Sequence, residues 1–292
     1  MTIADAPSRP VIRYHGGKWR LAPWIIAQFP PHRVYVEPYG GAGSVLLRKP
    51  RARGEVYNDL WGRVVDVFRV LRDPDMAHEL QRRLILTPFA RSEFAAVTPA
   101  AFETDDIVER ARMTIVRAYQ GHGSNSPDET QATGFRSNSM RSNTTPAVEW
   151  ANYPWQIAAF VERLRGVVIE QRPAADVMRG FDGPDTLHYV DPPYVHETRS
   201  RGNPYCKKGY AHEMSDADHE ALAAALGELE GMVVVSGYDC PLYRRLFGGW
   251  KRIECRALAD GALERTEVLW MNEAATLAAV QPCMFSQLVE VA

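Results

Sequence analysis

The stretch "VYVEPYGGAGSVLLRK" (34–49) constrains this chain more than any other: an apolar strand meets three glycines and emerges as the start of a helix. A strand-to-helix connection that short is half of a crossover unit, and crossover units build parallel sheets. The pattern repeats at once. "GEVYND" (54–59) is a second strand, and "LWGRVVDVFRVLR" follows it with Leu60, Val64, Val67, Phe68 and Leu71 at helical spacing.

A second alternating segment lies further on. "GVVIEQ" (166–171) and "LHYV" (187–190) are strands, and "SDADHEALAAALGEL" is a helix capped by Ser215 or Asp216, with Leu222 and Leu226 on one face. "GMVVVSG" (231–237) is a buried strand. "KRIECRAL" and "TEVLWMN" then close the chain as an antiparallel pair, because the linker around Gly261 is too short for a helical crossover. Between the two segments come helical patches, "DPDMAHELQRRLIL" and "DDIVERARMTIVRAYQ". They lead into a polar run with almost no apolar side chains, "GHGSNSPDETQATGFRSNSMRSNTTP". The expected organisation is therefore an α/β domain in two parts, 1–73 and 156–292, with an inserted helical and loop region at 74–155.

Composition bears on which partners to expect. With 46% apolar and 24% charged residues the chain can bury a substantial core, and its net charge of −2 carries no global polyanion signal. A local basic cleft remains compatible with nucleic acid. Four dispersed cysteines, with no C-x-x-C pair, suit neither a disulfide framework nor a zinc site. No apolar run reaches membrane-spanning length and the N-terminus lacks a signal pattern, so a cytoplasmic protein without membrane or metal partners is expected.

Two motifs carry chemistry. In "VEPYGGAGS" (36–44), Gly40, Gly41 and Gly43 let backbone amides approach a ligand, and Asp59 at the end of the next strand suits a ribose hydroxyl. A dinucleotide fingerprint fails here, because Leu46 stands where a third glycine belongs and Glu37 would repel a pyrophosphate. Glu37 would welcome the α-ammonium of a methionine instead. The other motif, "DPPY" (191–194), ends a strand with an acid and two donor-free prolines. Asp191 and the Pro192 carbonyl can each accept one hydrogen of an exocyclic amine, which aims its lone pair at an electrophile. Tyr194 can stack on the base. The plain alternative is a proline loop that only closes a strand.

With these pieces in order, the chain resembles the Dam-type DNA N6-adenine methyltransferases from roughly residue 11 to 272. "RYHGGK" (13–18) resembles the family's N-terminal cofactor motif, "VYNDL" its ribose-binding strand end, and "DPPY" its catalytic tetrad. The resemblance implies a Rossmann-like methyltransferase fold: a mostly parallel seven-stranded sheet with a reversed terminal strand and a target-recognition insertion. It implies S-adenosylmethionine as cofactor, held by Tyr14, Gly16, Gly17, Lys18, Glu37, Pro38, Tyr39, Gly40, Gly41, Gly43, Ser44, Asp59, Asp176 and Asp191. Asp176 is to contact the cofactor's adenine, although Val177 replaces the aromatic usually beside that acid. Asp191, Pro192, Pro193 and Tyr194 are the catalytic set, and methyl passes in line to a flipped-out adenine of double-stranded DNA.

For the DNA surface, Arg199, Arg201, Lys207 and Lys208 lie in a locally basic stretch with Tyr205 and Tyr210 that can stack or wedge, and Arg136 and Arg141 lie in "GFRSNSMRSN". His15, His196 and His212 are not required for the chemistry. Two other classes of function stay open: a catalytically silent cofactor- and DNA-binding homologue, and methylation of an amino group on RNA or protein.

Overall fold

The computed structural model describes residues 6–123, 134–137, 144–198, 210–258 and 264–280. The strands are β1 (Val34–Glu37), β2 (Gly54–Asn58), β3 (Val167–Glu170), β4 (Thr186–Val190), β5 (Met232–Tyr238), β6 (Lys251–Leu258) and β7 (Glu264–Met271). They form one seven-stranded sheet in the order β3-β2-β1-β4-β5-β7-β6. β1 to β5 pair in parallel, and β7 runs antiparallel to both of its neighbours. The reversed last strand is thus lodged between β5 and β6 and is not an edge.

Among the described residues the helices are α1 (Ala22–Ile26), α2 (Ser44–Arg48), α3 (Gly62–Arg72), α4 (Pro74–Leu86), α5 (Arg91–Ala96), α6 (Ile107–Gln120), α7 (Pro146–Asn152), α8 (Ile157–Leu164), α9 (Ala174–Gly180), α10 (Asp216–Gly227), α11 (Pro241–Leu246) and α12 (Glu273–Val280). Local chemistry starts several of them. Asp73 accepts the Asp75 and Met76 amides at α4, Asp106 accepts that of Glu109 at α6, and Ser215 forms a capping box with Asp218 at α10.

The strands are apolar on both faces, as a covered parallel sheet requires. Tyr35, Tyr57, Leu187, Tyr189 and Val234 join the main core, which also holds residues of α1 to α4, α6 to α8 and α12. Their neighbours Val190, Val233 and Val235 point the other way, against Leu222 and Leu226 of α10 and Tyr243 of α11. The helices of the 74–155 region belong to the main core: Leu80, Leu84, Ile115 and Val116 share it with Tyr35 and Leu187.

One expected core position moves. Val64, Val67, Phe68 and Leu71 are fully buried, but Leu60 is 43% exposed and precedes α3. The cause is local: Asp59 accepts the Trp61 amide at 2.8 Å, which turns the chain before the helix begins. Strand order reverses between β1 and β4, so the crevice beyond their carboxyl ends is where an open α/β sheet binds ligands.

Candidate active site

The glycine turn leaves β1 under tight steric control. A Cβ on Gly40 would stand 2.2 Å from the Tyr57 ring, and Gly43 adopts a φ of +61° against Phe68. Tyr57 stacks on Phe68 at 3.9 Å and donates to the Gly41 carbonyl at 2.6 Å, so the turn rests on an aromatic floor. Asp59 ties the turn to β2, one carboxylate oxygen accepting the Gly41 amide and the other that of Trp61, each at 2.8 Å. Burial raises the Asp59 pKa above its ordinary value, with these amide bonds opposing.

Glu37 closes the strand end of the turn. Its Oε2 accepts the Tyr35 hydroxyl at 2.7 Å and the Leu46 amide at 2.9 Å. The α2 amide that a phosphate would need is therefore already taken, in keeping with the failed dinucleotide fingerprint. Burial pushes the Glu37 carboxyl up to about 8, with the Asp191 charge adding to the rise and the two hydrogen bonds opposing it.

Across the crevice, Asp191 follows β4 directly. Lys18 donates to both of its carboxylate oxygens, at 2.8 and 2.9 Å, and to the Gly16 carbonyl at 3.0 Å. The Lys18 ammonium also stands 4.6 Å over the Tyr194 ring and 3.9 Å from Glu267. Burial alone would lower the Lys18 pKa, but Asp191 and Glu267 outweigh it and raise it. Tyr194 is only 6% exposed, and Tyr238 packs edge-on against it at 4.7 Å. Its hydroxyl donates to Glu267, which also accepts from Ser236 at 2.9 Å.

These groups surround a cavity of about 650 Å³. Tyr14, Gly16, Gly17, Lys18, Glu37, Pro38, Tyr39, Gly40, Gly41, Ser44, Asp59, Asp191 and Pro193 line it. Gly43, Pro192 and Tyr194 are not among the lining residues. The Tyr194 ring is thus buried in this arrangement, where the sequence suggested an open stacking face.

Asp176 is not among the lining residues. Its side chain is 43% exposed and pairs with Arg179 at 2.6 Å, one helical turn on, while Pro173, Ala174 and Ala175 reach the cavity. Arg136, expected at DNA, is turned onto Glu149 at 2.8 Å and is mostly buried. Arg141, Arg199, Arg201, Lys207 and Lys208 lie outside the described residues.

Sequence reasoning missed several participants. Met214, Asp218, Leu222 and Ala225 line the cavity from α10 and the segment before it, as does His212; Tyr210, expected at DNA, lines it too, its ring meeting His15 edge-on at 5.0 Å. Glu267 and Ser236 were also missed. One sign of Glu267 was available: an acid set directly against the apolar run "VLWM". Among the described residues no helix is long and apolar enough to cross a membrane, and no cluster of three metal-ligating side chains occurs.

A family model described as D12 class N6 adenine-specific DNA methyltransferase matches residues 14–259, most of the chain. No curated protein matches it.

Proposed function

The chain belongs to the D12 class N6 adenine-specific DNA methyltransferase family, and from that premise we propose that it moves the methyl group of S-adenosylmethionine, in line, to N6 of an adenine flipped out of duplex DNA. The observation that carries this reading is the placement of Asp191 and Glu37 at the ends of adjacent strands, facing one cavity.

The residues present fit S-adenosylmethionine. The volume suits a ligand of that size. Gly40 and Gly41 bring bare backbone to the wall, and the Ser44 hydroxyl is buried there without a hydrogen-bond partner. Glu37 would take the α-ammonium and Asp59 the ribose hydroxyls. Ala174 and Ala175, rather than Asp176, would flank the cofactor's adenine. When bound, the sulfonium would supply an electrophilic methyl group and leave as a neutral thioether, and the methylated amine would then release one proton to water.

The chain's own part is to present the amine. Asp191 accepts one N6 hydrogen and the Pro192 carbonyl the other, which turns the lone pair out of conjugation with the ring. Lys18 donates to both Asp191 oxygens and so fixes the carboxyl group beside the cavity. The Asp191 side chain is only 17% exposed, which supports a reading in which the adenine leaves the duplex to reach it.

The 74–155 region would recognise the target. Segment 134–137 is anchored for that purpose: Phe135 packs on Phe89 at 4.9 Å beside Arg91, and its backbone bridges to Gly121. Arg136 then serves as an anchor through Glu149.

Labelled methyl transfer to unmethylated duplex DNA, followed by nucleoside analysis, tests the reading. N6-methyladenine is expected. Intact donor binding with no label in DNA would turn the assignment to RNA, to protein or to a silent binder.

A further inference from the structure

Glu267 is 2% exposed on β7, directly before the buried apolar run "VLWM" (268–271). A carboxylate buried like this is costly unless its partners compensate, and an apolar residue would serve the sheet better. Its partners are specific. Oε1 accepts the Tyr194 hydroxyl and the Ser236 hydroxyl, and it stands 3.9 Å from the Lys18 ammonium. Two of these three residues connect to the proposed site: Tyr194 ends the Asp-Pro-Pro-Tyr turn, and Lys18 lines the cavity and holds Asp191.

The topology explains why a residue so distant in sequence arrives here. The site lies at the carboxyl ends of the parallel strands. β7 runs the other way, so its early residues lie beside the late residues of β5: Glu267 pairs with Tyr238, and Leu269 with Ser236. A parallel β7 would carry Glu267 towards the opposite edge. Tyr238 then supports the Tyr194 ring from the side.

We infer that Glu267 is a positioning residue for methyl transfer: it fixes the Tyr194 ring through its hydroxyl and shares the Lys18 ammonium with Asp191. Sharing matters because Lys18 otherwise binds both Asp191 oxygens, which compete with the amine for the same lone pairs. A second carboxylate 3.9 Å from the ammonium competes for it and leaves Asp191 a better acceptor. Without Glu267, the Tyr194 and Ser236 hydroxyls lose their shared acceptor in a buried place.

This inference rests on the proposed roles of Asp191 and Tyr194, and the experiment separates the two. Steady-state methyl transfer to duplex DNA is measured for the wild type, E267Q, Y194F and the double variant, together with donor binding and Tm. E267Q is expected to lower kcat by about tenfold or more while the KM for the donor stays within about twofold. The double variant is expected to be no slower than the slower single variant, since both changes break one contact. Wild-type turnover in E267Q, or losses that multiply in the double variant, overturns the inference alone. A wild type that methylates no adenine overturns it together with the functional reading. If E267Q does not fold, Glu267→Asp, which keeps the charge but withdraws it by one methylene, carries the same expectation and the same overturning result.

Discussion

Among the described residues, two lysines are buried over tyrosine rings, one near each end of the same sheet. Lys18 stands 4.6 Å over Tyr194 beyond the strands' carboxyl ends, and Lys49 stands 4.5 Å over Tyr35 near their amino ends. Around Lys49 the charges are sealed. Glu55 accepts from Lys49 at 2.8 Å and from Arg163 at 2.7 and 3.0 Å, and all three side chains are buried. Burial alone would raise the Glu55 carboxyl, but the Arg163 and Lys49 hydrogen bonds outweigh it and hold it below its ordinary value.

Around Lys18 the balance is reversed, with one cation against Asp191 and Glu267, and Asp191 open to the cavity. The same residue types thus make a lock at one end and a receptor at the other. What distinguishes them is which charge is in excess and whether a carboxylate keeps lone pairs facing a ligand.

The sharpest way to break this contrast is to neutralise one acid in each cluster. Asp191→Asn is expected to lower kcat by about 10²–10³, the range for losing one preorganised hydrogen-bonding group at the reacting centre, while donor binding persists and Tm changes little. Kinetics and a thermal scan on one preparation check it. Glu55→Gln is expected to do the opposite: about 3–5 kcal/mol of stability lost, because two buried cations keep no ionic partner, with kcat of the folded fraction nearly unchanged. Denaturant unfolding measures that loss. A Glu55→Gln enzyme that is stable but slow would show that the sealed cluster also serves catalysis.

A smaller effect tests whether the acid-rich end is tuned for a cation. Glu37 has its carboxyl raised by burial from 4.5 to about 8. The folded state keeps a proton that the unfolded chain releases, so this contribution to stability is complete below about 4.5 and is lost as pH rises through about 8. The stability difference between the wild type and Glu37→Gln should therefore fall across that window in urea titrations. Binding of S-adenosylmethionine should tighten from pH 6 towards pH 8 in the wild type and less so in the variant. A flat difference would mean that Glu37 is already ionised when the cavity is empty.

Much of this was legible beforehand, and the legible parts share a property. The strand ends at Glu37, Asn58 and Val190, the Gly40–Gly43 turn and the Ser215 cap each depend on residues a few positions apart. The antiparallel pairing of β6 and β7 was also readable, because a short linker leaves no other geometry. Leu60 went astray through equally local chemistry, since one hydrogen bond from the Trp61 amide to Asp59 was enough to break a helical period. Asp176 was assigned through the family resemblance and Arg136 through the composition around it, and each is held by an opposite charge.

By itself, the sequence determined the crossover units, the glycine turn and the placing of an acid after β4, because backbone sterics and hydrogen bonding act over a few residues. Tertiary structure alone decided which charges meet. Lys18 reaches Asp191 across 173 residues and Tyr194 reaches Glu267 across 73. Whether such groups come within hydrogen-bonding distance depends on strand order and on the direction of β7, and those follow from how apolar faces pack along the whole chain.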